Sequence, residues 1–135
     1  MPLPFFRLLS DQHIGKKGEV VALEVNMRPA GGITPDMMNY ANSTNVFKIW
    51  ADMIAYDSSL VAVGEKYFCA FAGRRDGVEY AYSEQDIVDR FGANIKIIQR
   101  VPDVLAGTMG NIMYIANFTT KKELDEFYSE VTQIR

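Results

Sequence analysis

The chain has one cysteine and one histidine in 135 residues. A lone Cys69 excludes an internal disulfide and points to a reducing compartment. With no second histidine beside it, His13 is read as a surface residue rather than a metal ligand or the base of a nucleophile. No uninterrupted apolar run of about 20 residues is present, and the N-terminus carries no signal-peptide pattern, so the cytoplasm is the expected location and no membrane partner is expected. Charge of one sign is also scarce. Fourteen Lys and Arg face 17 Asp and Glu, a net charge of −3 with the signs interspersed. Without a basic face, nucleic acid is not an expected partner either. Internal repeats and low-complexity segments are missing.

What is present is the composition of a soluble globular protein, 48% hydrophobic and 23% charged. A chain of this length buries roughly two-thirds of its unfolded surface. Two strand-like runs, "LPFFRLL" and "EVVALEVN", flank the polar loop "SDQHIGKKG", in which His13 lies; together they read as a hairpin. "GGITPDMMNYA" opens a helix, with Thr34 as its cap and Pro35 at its first position. In the next helix, "STNVFKIWADMIAYD", Val46, Phe47, Trp50, Met53 and Ile54 fall at helical spacing and predict a buried face.

Further along, "KYFCAFAGRR", Asp76-Gly77 and "VEYAYS" read as a second hairpin, with Arg74 and Arg75 as solvated charge beside its turn. Cys69 within it is expected to be a buried, inert thiol. Ser83 caps "EQDIVDRF", which Gly92 ends. "IKIIQRV" and "NIMYIANF" are strands on either side of "PDVLAGTMGN", a loop able to touch a substrate or partner. Thr120 and Glu123 have capping-box spacing ahead of a last helix with an apolar stripe of Leu124, Phe127, Tyr128, Val131 and Ile134. The expected class is α+β, with the tail a β-β-α-β-β-α unit on an antiparallel sheet.

The stretch "VALEVNMRPAGGITPDMMNYA" carries the chemistry. Side chains alternate along a strand, so Glu24 and Asn26 share one face, and Arg28 joins them if the chain stays extended. A carboxylate and an amide oxygen on one strand offer two oxygen ligands to a hard divalent cation. The arginine supplies a permanent planar charge suited to phosphate or carboxylate oxygens. The same triplet is also what the wet face of an edge strand looks like. Met27, Met37 and Met38 suit either an apolar substrate pocket or core filling.

The run "ALEVNMRPAGG", with "MNYA" and "KIWADMI" behind it, resembles the C-terminal part of ATP-grasp ligases, in particular the carboxylate–amine ligase and biotin carboxylase-like branch. The resemblance implies that Glu24 and Asn26 are magnesium ligands and that Arg28 is the catalytic residue stabilising the phosphorylated carboxylate. It also implies that Gly31 and Gly32, with the amides before the helix, let the chain approach an anionic substrate. ATP and Mg²⁺ would be the cofactors, and a small carboxylate and a nucleotide the partners. On this reading residues 1–57 are antiparallel strands and helices of a truncated ATP-grasp catalytic lobe, and residues 58–135 are a small C-terminal domain.

Two departures qualify the match. Pro4 stands where the family brings a further acidic ligand, and the family's glycine-rich loop, lysines and adenine-binding hinge would lie upstream of Met1. The chain is therefore expected to be a fragment of an ATP- and Mg-dependent ligase, inactive alone. The alternative is a non-catalytic binding or assembly module on the same scaffold, forming a homodimer or completing an N-terminal ATP-grasp half in trans. Strand edges left bare by truncation would serve that alternative, because an unpaired edge is a template for another chain.

Overall fold

Residues 112–118 of "NIMYIANF" decide the architecture, because nearly every side chain in them is apolar and a strand of that kind must be covered on both faces. In the computed structural model, which describes the backbone of residues 12–14 and 20–22 and all of residues 30–135, this segment is the middle of a three-stranded antiparallel sheet. The elements in chain order are β1 (Gln12–Ile14), β2 (Val20–Ala22), α1 (Thr34–Asn42), α2 (Val46–Tyr56), β3 (Phe68–Arg74), α3 (Glu84–Phe91), β4 (Ile95–Arg100), α4 (Asp103–Met109), β5 (Ile112–Phe118) and α5 (Lys121–Thr132). The protein is α+β. Its contacts divide it into two compact units, residues 1–30 and 31–135.

In the first unit β1 and β2 pair antiparallel, Gln12 opposite Ala22 and Ile14 opposite Val20. His13 is thus a strand residue opposite Val21, not part of the connecting loop. "LPFFRLL" lies outside the described residues.

In the second unit the sheet order is β3-β5-β4. Phe68 of β3 pairs with Phe118, and the register runs to Arg74 opposite Ile112. Ile95 of β4 pairs with Ala116 and Arg100 with Ile112, with a register shift between Ile95 and Ile97. One face presents Ala70, Ala72, Tyr114, Ala116 and Phe118 to Ile87 and Phe91 of α3 and to Phe127 and Val131 of α5. Phe127 is the hub of this core. Its ring centroid lies 5.4 Å from that of Phe91, edge to face, and 5.2 Å from that of Phe118, and such pairs add to the gain from burial alone. On the other face α1 lies against β3 and β5. There the Asn117 side-chain amide donates to the Tyr40 carbonyl at 2.7 Å.

Several expectations are corrected. The turn at Asp76-Gly77 exists, with Gly77 at φ +75°, but "VEYAYS" forms no strand beside β3 and makes only the single bridge Tyr80 to Ile134. The doubly buried β5 takes the place beside β3 instead, since it needs a strand on each side. "PDVLAGTMGN" is not a loop but contains α4, with Asp103 in its first turn and Gly110 ending it at φ +86°. Gly73 and Gly110 let α4's end cross β3 in backbone contact, because a Cβ on Gly73 would run into the Met109 carbonyl. The tail is therefore β-α-β-α-β-α.

In α1, Ile33 holds the N-cap position and Thr34 lies inside the helix, where its hydroxyl caps nothing. In α2 the inward direction is set by Val46 and Ile49; Phe47 and Ile54, expected inside, are 51% and 71% exposed. Ile134 lies beyond α5 and is exposed.

The helix starts at Ser83 and Thr120 are as expected. Each is a capping box: Ser83 with Asp86, and Thr120 with Glu123. The Ser83 hydroxyl and backbone amide hold the Asp86 carboxyl below its ordinary value of 3.8. The Thr120 and Thr119 groups do the same for Glu123, ordinarily 4.5.

The outer edge of β3 is closed at its centre by a side chain. Tyr128 of α5 donates its hydroxyl to the Phe71 carbonyl at 2.6 Å and accepts from the Phe71 amide at 3.2 Å. On the other outer strand, β4, the register shift and the exposed Lys96 disfavour pairing with another chain.

Two outcomes follow from these contacts. Tyr128→Phe keeps the ring but leaves two part-buried backbone groups without their Tyr128 partner, and should lower the unfolding free energy by about 1–3 kcal/mol, seen as a lower urea midpoint with the slope unchanged; an unchanged midpoint would refute the role given to the hydroxyl. The two cap carboxylates titrate lower in the folded chain, so their contribution is complete above their ordinary values and is lost as pH falls through the lowered ones. The double variant Ser83→Ala, Thr120→Ala should therefore lose less melting temperature than the parent between about pH 5 and pH 3.

Candidate functional site

Of the residues singled out by the Glu-X-Asn-X-Arg run, Glu24, Asn26 and Arg28 lie outside the described residues. Gly31 and Gly32 lie within them, at the entrance to α1. Among the described residues no atom comes within 4 Å of where a Cβ would stand on either glycine. Gly32 has φ +63°, a left-handed conformation that other residues adopt only at a cost. Ile33 follows at φ −82° and brings no side-chain cap to the helix.

The consequence is a helix start with, among the described residues, open backbone in front of it. The first amides of any helix have no acceptor within it. Pro35, buried in the first turn, has no N–H to contribute. The amides of Ile33, Thr34 and Asp36 therefore form the donor end of α1, and the first internal bond is Met37 N–H to the Ile33 carbonyl at 3.0 Å. A helix start of this kind favours negative charge. Asp36 in the same turn supplies some of that charge without capping the terminus.

The remaining candidates have structural roles. Among the described residues no group of three or more His, Cys, Asp or Glu side chains is placed to hold a metal ion. Cys69 is half-buried in β3, and burial pushes its thiol up to about 11. It is half-buried rather than fully buried as expected, and the raised value keeps it protonated at neutral pH.

Arg74 overturns the reading of Arg74 and Arg75 as solvated charge. It is only 6% exposed, because it continues the inward alternation of Ala70 and Ala72. Its guanidinium carbon lies 4.6 Å from the Tyr80 ring centroid and 5.6 Å from that of Tyr114. Its Nε donates to the Val131 carbonyl at 2.8 Å, so a cation meets the negative end of α5. Nη2 is buried and meets the geometric criteria for a hydrogen bond with none of the described residues. Beside it the Tyr114 hydroxyl donates to Glu84 at 3.3 Å, and burial raises the Tyr114 pKa. Arg75 is exposed, yet its guanidinium reaches the Ala106 and Gly107 carbonyls of α4 at 3.4 and 2.9 Å. The two arginines fasten α5 and α4 to the end of β3. The available signal was the alternation in "FCAFAGR", which puts Arg74 on the same face as two alanines.

The chain matches no protein-family model, no curated protein and no solved structure. What the structure defines is thus an α+β fold in which a glycine pair leads directly into a helix start.

The thiol gives the check on this part of the structure. Native chain at about pH 8 should react with a thiol reagent far more slowly than urea-unfolded chain, because burial keeps Cys69 protonated. Equal rates would contradict its placement in β3.

Proposed function

We propose that this chain is the C-terminal segment of an ATP-grasp type ligase, which activates a carboxylate as an acyl phosphate for attack by an amine or similar nucleophile. The observation that carries the reading is the left-handed Gly32, with no described residue beside it, at the start of α1, where Ile33 brings no side-chain cap. It stands four residues after Arg28, in the order strand, Glu-X-Asn, arginine, glycines and helix start. The described part of the site suits an anion: amides point out of the helix, and none of the described side chains occupies the space beside the glycines.

In the reaction the γ-phosphoryl group passes from ATP to a carboxylate oxygen, releasing ADP. The nucleophile then attacks the acyl carbon, loses its proton, and phosphate leaves. Arg28 holds the negative oxygens of the phosphorylated carboxylate, a task that fits its fixed charge and planar donors. Glu24 and Asn26 would hold Mg²⁺ through their oxygens. When bound, that ion neutralises charge on the phosphate oxygens. Gly31, Gly32 and the first amides of α1 orient the anionic substrate.

Among the described residues no helix is long and apolar enough to cross a membrane. With the single cysteine, this suits work on small molecules in the cytoplasm.

In the ligase that carries this segment, Glu24→Gln and Arg28→Ala should each cut carboxylate-dependent ADP release by about 10²–10³-fold with an unchanged circular dichroism spectrum. Normal turnover in either variant would overturn the assignment. For the chain itself, titration with Mg·ATP should show whatever heat it gives weakened by Glu24→Gln; strong binding indifferent to that change would place the nucleotide elsewhere.

A further inference from the structure

Only one aspartate in the sequence is followed by glycine, Asp76 before Gly77. A glycine has no Cβ to shield its own amide nitrogen, and along the chain that nitrogen is the next nucleophilic atom after the Asp76 carboxyl. The pair sits in the turn after β3, with Gly77 at φ +75°, and among the described residues no atom comes within 4 Å of where a Cβ would stand on it. None of the described residues accepts the Gly77 N–H. Water reaches the Asp76 side chain, which is 54% exposed. Every other described aspartate except Asp57 precedes a helical residue, whose side chain and fixed backbone oppose the same approach.

The Asp76 carboxylate is also clamped. Arg100, at the end of β4, donates to Asp76 Oδ2 at 2.6 Å and to Oδ1 at 3.4 Å. That bond holds the Arg100 guanidinium above its ordinary value. The Asp76 N–H donates to Asn111 Oδ1 at 3.1 Å. Because β5 lies between β3 and β4, the Asp76–Arg100 pair ties the two outer strands together across the end of the middle one.

We propose that Asp76 is a site of spontaneous isomerisation to isoaspartate, through a cyclic imide formed with the Gly77 nitrogen, and that Arg100 sets its rate. This proposal is independent of the ligase reading, because residues 24–32 take no part in it.

The chemistry needs only water. The Gly77 nitrogen attacks Asp76 Cγ and a C–N bond forms. One Oδ departs as water, taking the N–H proton and the proton of the neutral carboxyl. Water then adds back to a carbonyl carbon of the imide. Breaking the bond from the nitrogen to Cγ restores aspartate. Breaking the bond from the nitrogen to the Asp76 backbone carbonyl carbon leaves the main chain running through Cβ and Cγ, which is isoaspartate.

Arg100 opposes the first step in two ways. The departing oxygen needs a proton, and a guanidinium holds its own protons permanently. Its hydrogen bonds also fix the carboxylate at the end of β4, so the side chain is not free to turn onto the Gly77 nitrogen. An exposed ion pair is weak, so this clamp slows the reaction without preventing it. Once isoaspartate forms, the main chain is one carbon longer and the carboxyl stands directly on Cα, so the tie from β3 to β4 loses its geometry.

The test is prolonged incubation of the full chain at neutral pH, followed by peptide mapping. Isoaspartate leaves the peptide mass unchanged, resists an Asp-specific protease and accepts a methyl group from an isoaspartyl methyltransferase. It is expected at position 76, forming more slowly than in chain unfolded in guanidinium chloride. Arg100→Gln, with an unchanged circular dichroism spectrum, should speed it by about two- to fivefold, the range that an exposed ion pair allows. Salt at about 1 M should speed it in the parent chain too, because it screens the pair, and this keeps the test valid if Arg100→Gln fails to fold. Asp76→Glu, whose ring would be one atom larger, should abolish the product. A native chain that forms no isoaspartate at position 76 while the unfolded chain converts would overturn the proposal. So would a rate indifferent to both Arg100→Gln and salt.

Discussion

The second unit is organised by the requirement that β5 be covered on both faces. Tyr114, Ala116 and Phe118 need one apolar layer; Met113, Ile115 and Asn117 need another. A strand in that position needs a hydrogen-bonded neighbour on each edge, which β3 and β4 provide. The small residues of β3 then become intelligible: Ala70 and Ala72 make room for the rings of α5 to lie over the sheet. Asn117 is the one polar group accepted into the middle strand, and it links β5 to the last turn of α1 through the Tyr40 carbonyl.

Features decided by a few neighbouring residues were legible in the sequence, and features decided across the chain were not. Ser83 with Asp86 and Thr120 with Glu123 act over three residues, so both helix starts could be read directly. The strands β3, β4 and β5 were recognisable as runs. Their pairing was not, because a turn at Asp76-Gly77 suggests a local partner while burial of β5 selects a distant one. Helix α4 was hidden by its shortness and by Gly107 inside it. The outward face of α2 was misread because its apolar residues cover more than one stripe, and only the position of the sheet decides which stripe is inside.

The candidate site shows the same division. The glycine pair and the proline in the first turn of α1 were legible because each acts on its own backbone. The cap was assigned one residue late, since Thr34 is the kind of residue that caps and Ile33 is not. Arg74 was missed for a different reason. Its partner comes from Val131, 57 residues further on, and the one local signal, the alternation in "FCAFAGR", gives Arg74 its face but not the helix end it meets.

The contact between Tyr128 and Phe71 makes one part of the molecule the custodian of another. While α5 is docked, the central backbone groups of β3 are occupied; if its last turns open, a flat apolar strand is released for a moment. Local opening of a helix would thus set how often this chain is exposed to cross-β association, with no change in the sheet itself. In native-state hydrogen exchange, the Phe71 amide would report the dynamics of α5 rather than those of its own strand.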